Sequence, residues 1–407
     1  MVKIYEHGWL IDGLSDCAVC DGLLAYEDST ILYAGKYEKE IVDQFQEAEI
    51  YDVSGKTIMP GLIDSHVHLT LYGKGSSIHD FLVDSATYTA IKASRMAMKD
   101  LQAGFTTIRS LGDKASADFA VKRAINEGLI DGPRVLSSGK CISITGGHGD
   151  FVPGDVRLDT IGETCDGVEE VRRAARERLK NNADCVKLMA TGGGNSPGPG
   201  TASQMTVEEM RAAVEVAATR NVLTAAHCIG AEGIKNAMLA GVRTIEHASF
   251  LDDEGIELAL KGGHYLCSTL CAFRTMEQPP EAGIPDYVVD KIRYFATAHY
   301  TGLKKAYKAG VKFILGTDAG TPYNFHGSNG EEIWRLVRDG GFTPMDAIKA
   351  GTSVAAEALR QEDIGVLKTG KNADILIVEG NVLENVRILC DPSNILVIHN
   401  GKPVSKN

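Results

Sequence analysis

The sequence predicts an α/β protein, a (β/α)8 TIM barrel with a small β-sandwich domain built from both chain ends. Three observations point there. Short apolar runs alternate with helical stretches through the middle of the 407 residues. Strand-like segments without helical periodicity fill the two ends. Side chains able to hold a metal fall at the ends of five of the expected strands.

The ends come first. Residues 3–5, 9–11, 22–26, 30–34 and 50–53 read as strands, punctuated by turns such as Ile11-Asp12-Gly13 and Ala34-Gly35-Lys36. This set is too small to bury a good core alone. Residues 373–378 and 394–398, with the hairpin turn His399-Asn400-Gly401-Lys402, supply the missing half. The expectation is one small β-domain from residues 1–57 plus 366–407, interrupted by a hydrolase barrel over 58–365.

Within the barrel the expected strands are 62–68, 106–110, 134–138, 185–190, 223–227, 243–247, 265–269 and 312–318. Stretches 85–103, 168–181, 207–221 and 290–309 carry the three-to-four spacing of helices. Ala103-Gly104, Ala240-Gly241 and Ala309-Gly310 look like helix C-caps. A doubly wound open sheet is the alternative, weakened because no GxGxxG follows an early strand. The run Gly192-Gly193-Gly194-Asn195-Ser196-Pro197-Gly198-Pro199-Gly200 follows the fourth strand and reads as a loop at the barrel mouth.

Composition narrows the function class. A net charge of −12 argues against nucleic acid or an anionic membrane as the main partner. No apolar run reaches the roughly 18 residues of a membrane span. The opening MVKIYEHGWLIDG lacks a cationic-then-apolar leader, so a cytoplasmic location is expected. The nine cysteines are scattered. Cys17-x-x-Cys20 has no second pair at zinc-finger spacing and reads as structural, and Cys267 and Cys271 read as core thiols.

The chemistry lies at the strand ends. His66 and His68 are two residues apart, so on a strand both rings leave the same face and can meet one ion. Strand five ends in His227, strand six in His247, and strand eight in Gly316-Thr317-Asp318-Ala319-Gly320. Lys187 is the odd member. In strand four it alternates with Val186 and Leu188, and a lysine on an inward strand face is rarely tolerated unless it is paired or modified.

These motifs resemble the metal-dependent amidohydrolase superfamily, from Met59-Pro60-Gly61-Leu62-Ile63-Asp64 through to Gly365-Val366-Leu367-Lys368-Thr369-Gly370. Within it the chain looks like the imidazolonepropionase-related branch that also holds Xaa-Pro and Xaa-Arg/Lys dipeptidases and zinc-dependent arginine carboxypeptidases. Ile144-Thr145-Gly146-Gly147-His148 and Ile245-Glu246-His247-Ala248-Ser249-Phe250 carry the likeness to the dipeptidases.

The resemblance implies a binuclear centre of two divalent ions, zinc favoured. His66, His68 and Asp318 would bind one ion and His227 and His247 the other, with Lys187, carboxylated by CO2, bridging them. Asp318 would also move the proton of the attacking hydroxide. His148 would meet the scissile carbonyl or the substrate carboxylate, and Tyr323 and His326 would line the pocket. The expected substrate is a small carboxylate-bearing amide, a dipeptide or N-acyl amino acid, and the expected assembly a homo-oligomer. Dipeptidase relatives often carry a tyrosine shortly after the strand-five histidine. Here the run is His227-Cys228-Ile229-Gly230, which leans from a proline dipeptide toward arginine- or lysine-type substrates, with Asp150 and Asp155 as candidate acidic partners. The alternatives are a cyclic amide hydrolase of the imidazolonepropionase type and a non-catalytic scaffold.

Overall fold

The computed structural model describes residues 1–74, 83–194, 198–279, 282, 284 and 286–405. Asn195, Ser196 and Pro197 of the glycine-rich run lie outside the described residues. The first strands are β1 (Lys3–Leu10), β2 (Val19–Glu27), β3 (Thr30–Lys36), β4 (Glu49–Asp52) and β5 (Lys56–Pro60). Next come β6 (Leu62–Val67), β7 (Phe105–Ser110), β8 (Arg134–Ser137), β9 (Cys141–Ser143), β10 (Gly162–Thr164), β11 (Cys185–Met189), β12 (Leu223–Cys228), β13 (Thr244–His247), β14 (Tyr265–Cys267) and β15 (Phe313–Ile314). The last are β16 (Ile375–Glu379), β17 (Ile395–His399) and β18 (Lys402–Pro403).

The chain divides into two compact units. One holds Met1–Asp64, Met98–Thr107 and Gly327–Asn407. Its eight-stranded sheet runs β18-β17-β16-β5-β1-β2-β3, with β4 beside β1. The sequence reading missed β5, because Met59-Pro60-Gly61 looks like a break. Pro60 is in fact the terminal residue of the strand, opposite Ile375, where its missing N–H matters least. Both chain ends feed one core: Tyr5, Leu24, Ile31 and Ile58 are buried with Ile375, Ile377 and Ile398. Burying each such side chain contributes about 1.5–3 kcal/mol.

The other unit holds Ser65–Ala97 and Ile108–His326. All eight expected barrel strands are present, and the parallel run β9-β11-β12-β13-β14-β15 keeps regular register. The three-residue strands β9 and β10 were not expected. The outermost strands also have partners. Asp184 N donates to Ser137 O at 2.8 Å, Ser65 N to Leu315 O at 2.9 Å, and Asp318 N to His66 O at 2.7 Å. The strands are buried on both faces, as parallel sheets require. The expected helices appear as Ala86–Gln102, Val168–Lys180, Val207–Ala218 and Asp286–Lys308. Gly241 and Gly310 terminate two helices of this unit with φ of 89° and 87°. No helix among the described residues is long and apolar enough to cross a membrane.

The hairpin at Asn400-Gly401 shows how tightly the end-built sheet closes. Both residues have positive φ, 49° and 73°, as a two-residue type I′ turn needs. A Cβ on Gly401 would lie 1.5 Å from the Asp28 carbonyl oxygen. Gly401→Ala should therefore lower stability by roughly 2 kcal/mol or more. A shifted denaturant midpoint at unchanged slope would show it, and an unshifted midpoint would contradict this packing.

Candidate metal centre

Strand register brings the predicted side chains to one place. His66 is the penultimate residue of β6 and His68 lies just beyond its end, with ring centroids 5.3 Å apart. The His66 ring lies 5.1 Å from that of His247, which lies 4.6 Å from that of His227. His66 Nε2 and His68 Nε2 approach Asp318 Oδ1 at 3.4 and 3.2 Å. Ligand atoms of these three residues all lie within 4.8 Å of one another. All of these side chains are buried.

Each imidazole has one nitrogen fixed by an outer partner. His68 Nδ1 meets the Gly112 carbonyl at 2.8 Å, and His227 Nε2 meets the Gly192 carbonyl at 2.9 Å. A carbonyl only accepts, so these nitrogens carry the protons and the opposite nitrogens keep their lone pairs. His66 Nδ1 meets Glu246 at 2.8 Å, and His247 Nδ1 meets Thr269 Oγ1 at 2.7 Å. Histidines that hold metals are usually arranged in this way.

Lys187 is 1% exposed. Among the described residues its ammonium has no hydrogen-bond acceptor and no carboxylate in ion-pair range. Its charge instead depresses the imidazoles around it. Burial first, and then Lys187, hold His66 and His148 at about 4. His227 is pushed well below the usual value by burial, then by His148, His247 and Lys187. His247 is likewise well below, from burial and from His66 and Lys187, against the pull of Asp318. Burial opposes the charge on Asp318, but His66, His68 and His247 hold its carboxyl below the usual range. Neutral imidazoles and an anionic carboxylate form a donor set that fits divalent ions.

The backbone is strained here. His247, Ala248, Thr269 and Asp318 have φ of 68°, 50°, 48° and 61°, a region costly for residues with a Cβ.

His148 stacks on His227, ring centroids 4.2 Å apart, and its backbone N donates to Gln204 Oε1 at 2.9 Å. The glycine-rich loop makes room for it, since a Cβ on Gly193 would come within 2.6 Å of the His148 ring. Tyr323 sits farther along the strand-eight loop, where its hydroxyl donates to the Ala282 carbonyl at 3.2 Å. His326 is buried, with Nε2 3.1 Å from the His68 carbonyl oxygen. Asp150 accepts from Gly146 N at 2.9 Å, and Asp155 is exposed. Cys17 and Cys20 are exposed free thiols, whereas Cys267 and Cys271 are buried. The sequence reading gave no role to Glu246. The signal was available, because a carboxylate in a fully buried strand asks for an explanation as Lys187 does.

Parallel strands here hold imidazoles, a carboxylate and a lysine in buried positions, and likeness to known proteins makes the chain a hydrolase acting on C–N bonds. The chain belongs to the amidohydrolase family, whose model matches residues 57–404. That family is generally metal-dependent. The chain is 32% identical to ochratoxinase of Aspergillus niger, over 100% of this chain and 87% of that protein. It is 27% identical to imidazolonepropionase of Cutibacterium acnes, over 80% of this chain and 76% of the relative. The crystal structure of a Xaa-Pro dipeptidase with bound methionine in the active site superimposes with a TM-score of 0.88 at 32% identity, covering 100% of both chains.

The depressed imidazoles make the chelated protein sensitive to acid. His66, His148, His227, His247 and His299 all have folded pKa values below the ordinary 6.5, His299 at about 3 through burial. Between pH 6.5 and about 4 the unfolded chain binds protons that the folded chain refuses, so stability is lost as pH falls through that window. Asp118, pushed up to about 8 by burial and by Asp113, acts oppositely, with one proton against those of five imidazoles. The melting temperature of chelated protein should fall between pH 6.5 and 4.5. A flat or rising profile would contradict these buried neutral rings.

Proposed function

We propose that this chain is a binuclear metal-dependent amidohydrolase that cleaves the amide bond of a dipeptide or N-acyl amino acid. We take its parallel strands as a closed (β/α)8 barrel and its end-built sheet as part of a β-sandwich. The observation that carries the reading is the buried Lys187 amine, without an acceptor among four imidazoles. As an ammonium it opposes any cation there. Its neutral amine can attack CO2, forming an N–C bond and releasing a proton, and the resulting carbamate offers two anionic oxygens. Lys187 would then bridge a pair of ions, zinc favoured, with His66, His68 and Asp318 on one and His227 and His247 on the other.

Bound there, the ions would supply Lewis acidity, polarising the scissile carbonyl and bringing the pKa of a water toward neutral. Asp318 takes the proton of the attacking water and passes it to the leaving nitrogen. His148 steadies the carbonyl or the substrate carboxylate, and Tyr323 lines the mouth of the site. His326 acts on the site from behind, through the His68 carbonyl. The likeness to a Xaa-Pro dipeptidase supports a C-terminal residue in the substrate, and Cys228 after His227 leans the choice toward Xaa-Arg or Xaa-Lys. A cyclic amide hydrolase of the imidazolonepropionase type is the second reading. The imidazolonepropionase relative supports it, but it leaves Lys187 without a task.

Screening dipeptides and N-acyl amino acids against metal-loaded protein, with metal counted per chain, tests the reading. About two ions and turnover on an acyclic amide are expected; full activity with at most one ion would overturn the binuclear model. Asp318→Asn, nearly isosteric, should lower kcat by roughly 10² or more while keeping most metal; near wild-type turnover would remove Asp318 from the proton path. Lys187→Ala should lose metal and activity together. Acetate or propionate added with metal should restore part of both, because either can fill the vacated space with a carboxylate. A variant that kept its metal would refute the bridging role.

A further inference from the structure

We propose that Arg109 and Glu246 are a positioning pair that fixes which nitrogen of His66 faces the metal centre. The proposal rests on the metal-hydrolase reading above and extends it to two residues to which the family likeness gave no role. Both are 0% exposed. Arg109 Nη2 lies 3.0 Å from Glu246 Oε1, and Glu246 Oε2 lies 2.8 Å from His66 Nδ1. Arg109 Nε donates to the Ser65 carbonyl at 2.7 Å, and Nη1 donates to Thr244 Oγ1 at 3.1 Å. Thr244 Oγ1 in turn donates to Glu246 Oε1 at 2.5 Å. Three strands, β6, β7 and β13, thus meet on one guanidinium and one carboxylate.

The direction of every hydrogen bond in this network is fixed. A guanidinium only donates and an ionised carboxylate only accepts. Nδ1 of His66 must therefore donate to Glu246, which leaves the Nε2 lone pair on the side of Asp318, 3.4 Å away. With Gln at this position the amide oxygen must stay on the donors Arg109 and Thr244, so the NH2 turns toward His66 Nδ1 and drives the ring proton to Nε2, the nitrogen facing Asp318. A purely structural role accounts poorly for the pair, because apolar side chains of equal volume commonly match or exceed a buried ion pair in stability. His66, Glu246 and Cys267 also bring ligand atoms within 4.8 Å of one another. That group is no second metal site, because the Arg109 guanidinium already occupies the cation's place on Glu246.

Glu246→Gln tests this, with Thr244→Val as a milder variant that removes one hydroxyl from the network. Zinc affinity would be measured by chelator competition and the cobalt-loaded absorption spectrum recorded, with the melting temperature of the chelated protein as the control for folding. Glu246→Gln should weaken the tighter-perturbed zinc site about 10- to 100-fold, with an altered cobalt spectrum. Thr244→Val should weaken it by a smaller factor, so the proposal stays testable if Glu246→Gln fails to fold. The proposal is overturned if zinc affinity and the cobalt spectrum stay as in the wild type while the wild type binds its metals. It is equally overturned if only the chelated melting temperature falls, since that marks a structural role alone. A wild type that binds no metal would instead remove the metal-hydrolase reading itself.

Discussion

The burial of the side chains at the strand ends governs the rest of this site. An imidazole, carboxylate or amine placed there must find partners within the protein, because an unpaired buried polar group costs a few kcal/mol. Four histidines satisfy that demand with one ring nitrogen each, on two backbone carbonyls, a hydroxyl and a carboxylate. On His68 and His227 the carbonyl partners leave the opposite nitrogen with its lone pair. The same burial depresses the imidazole pKa values, so the rings stay neutral and able to bind cations at ordinary pH.

Strand geometry alone does not complete the arrangement. Consecutive residues on a strand point to opposite faces. Glu246 and His247 are consecutive, yet Glu246 holds His66 at 2.8 Å and the His247 ring lies 5.1 Å from the same ring. The positive φ values at His247 and Ala248 resolve the conflict. They end the alternation of β13 and turn His247 back toward the side that Glu246 already serves. Asp318 has the same conformation just beyond β15. The strain at His247 falls where adjacent side chains serve the same side, as strained residues at functional sites commonly do.

Much of this was legible in the sequence, for reasons that also mark what was not. The eight strands expected in the middle of the chain could be read because buried parallel strands are apolar runs bounded by glycine and helix. The three-residue strands β9 and β10 carry no such run, and β5 hides behind a proline that only the strand's terminal position tolerates. His66, His68, Lys187, His227, His247 and Asp318 stood out because their chemistry is out of place in a buried strand. Arg109 and Glu246 are out of place in the same way and were passed over, since each taken alone could be a surface charge. The choice of ring nitrogen could not be read at all. It depends on carbonyls of Gly112 and Gly192, which contribute no side chain and lie 44 and 35 residues from the rings they hold.

The charges around the centre explain why the proposed reading turns on Lys187. Arg109 and Glu246 cancel at 3.0 Å, and the imidazoles are neutral. The formal charges left facing the centre are Lys187 and Asp318, of opposite sign and without a direct ion pair between them. That balance is neutral but poorly paired. Converting the ammonium to a carbamate changes the local charge by two units, from neutral to strongly anionic, in a place where unpaired charge is costly. Such a change is sustainable only if cations arrive with it, and cations are repelled until it occurs. Under the proposed binuclear reading, lysine modification and metal uptake would be two halves of one equilibrium.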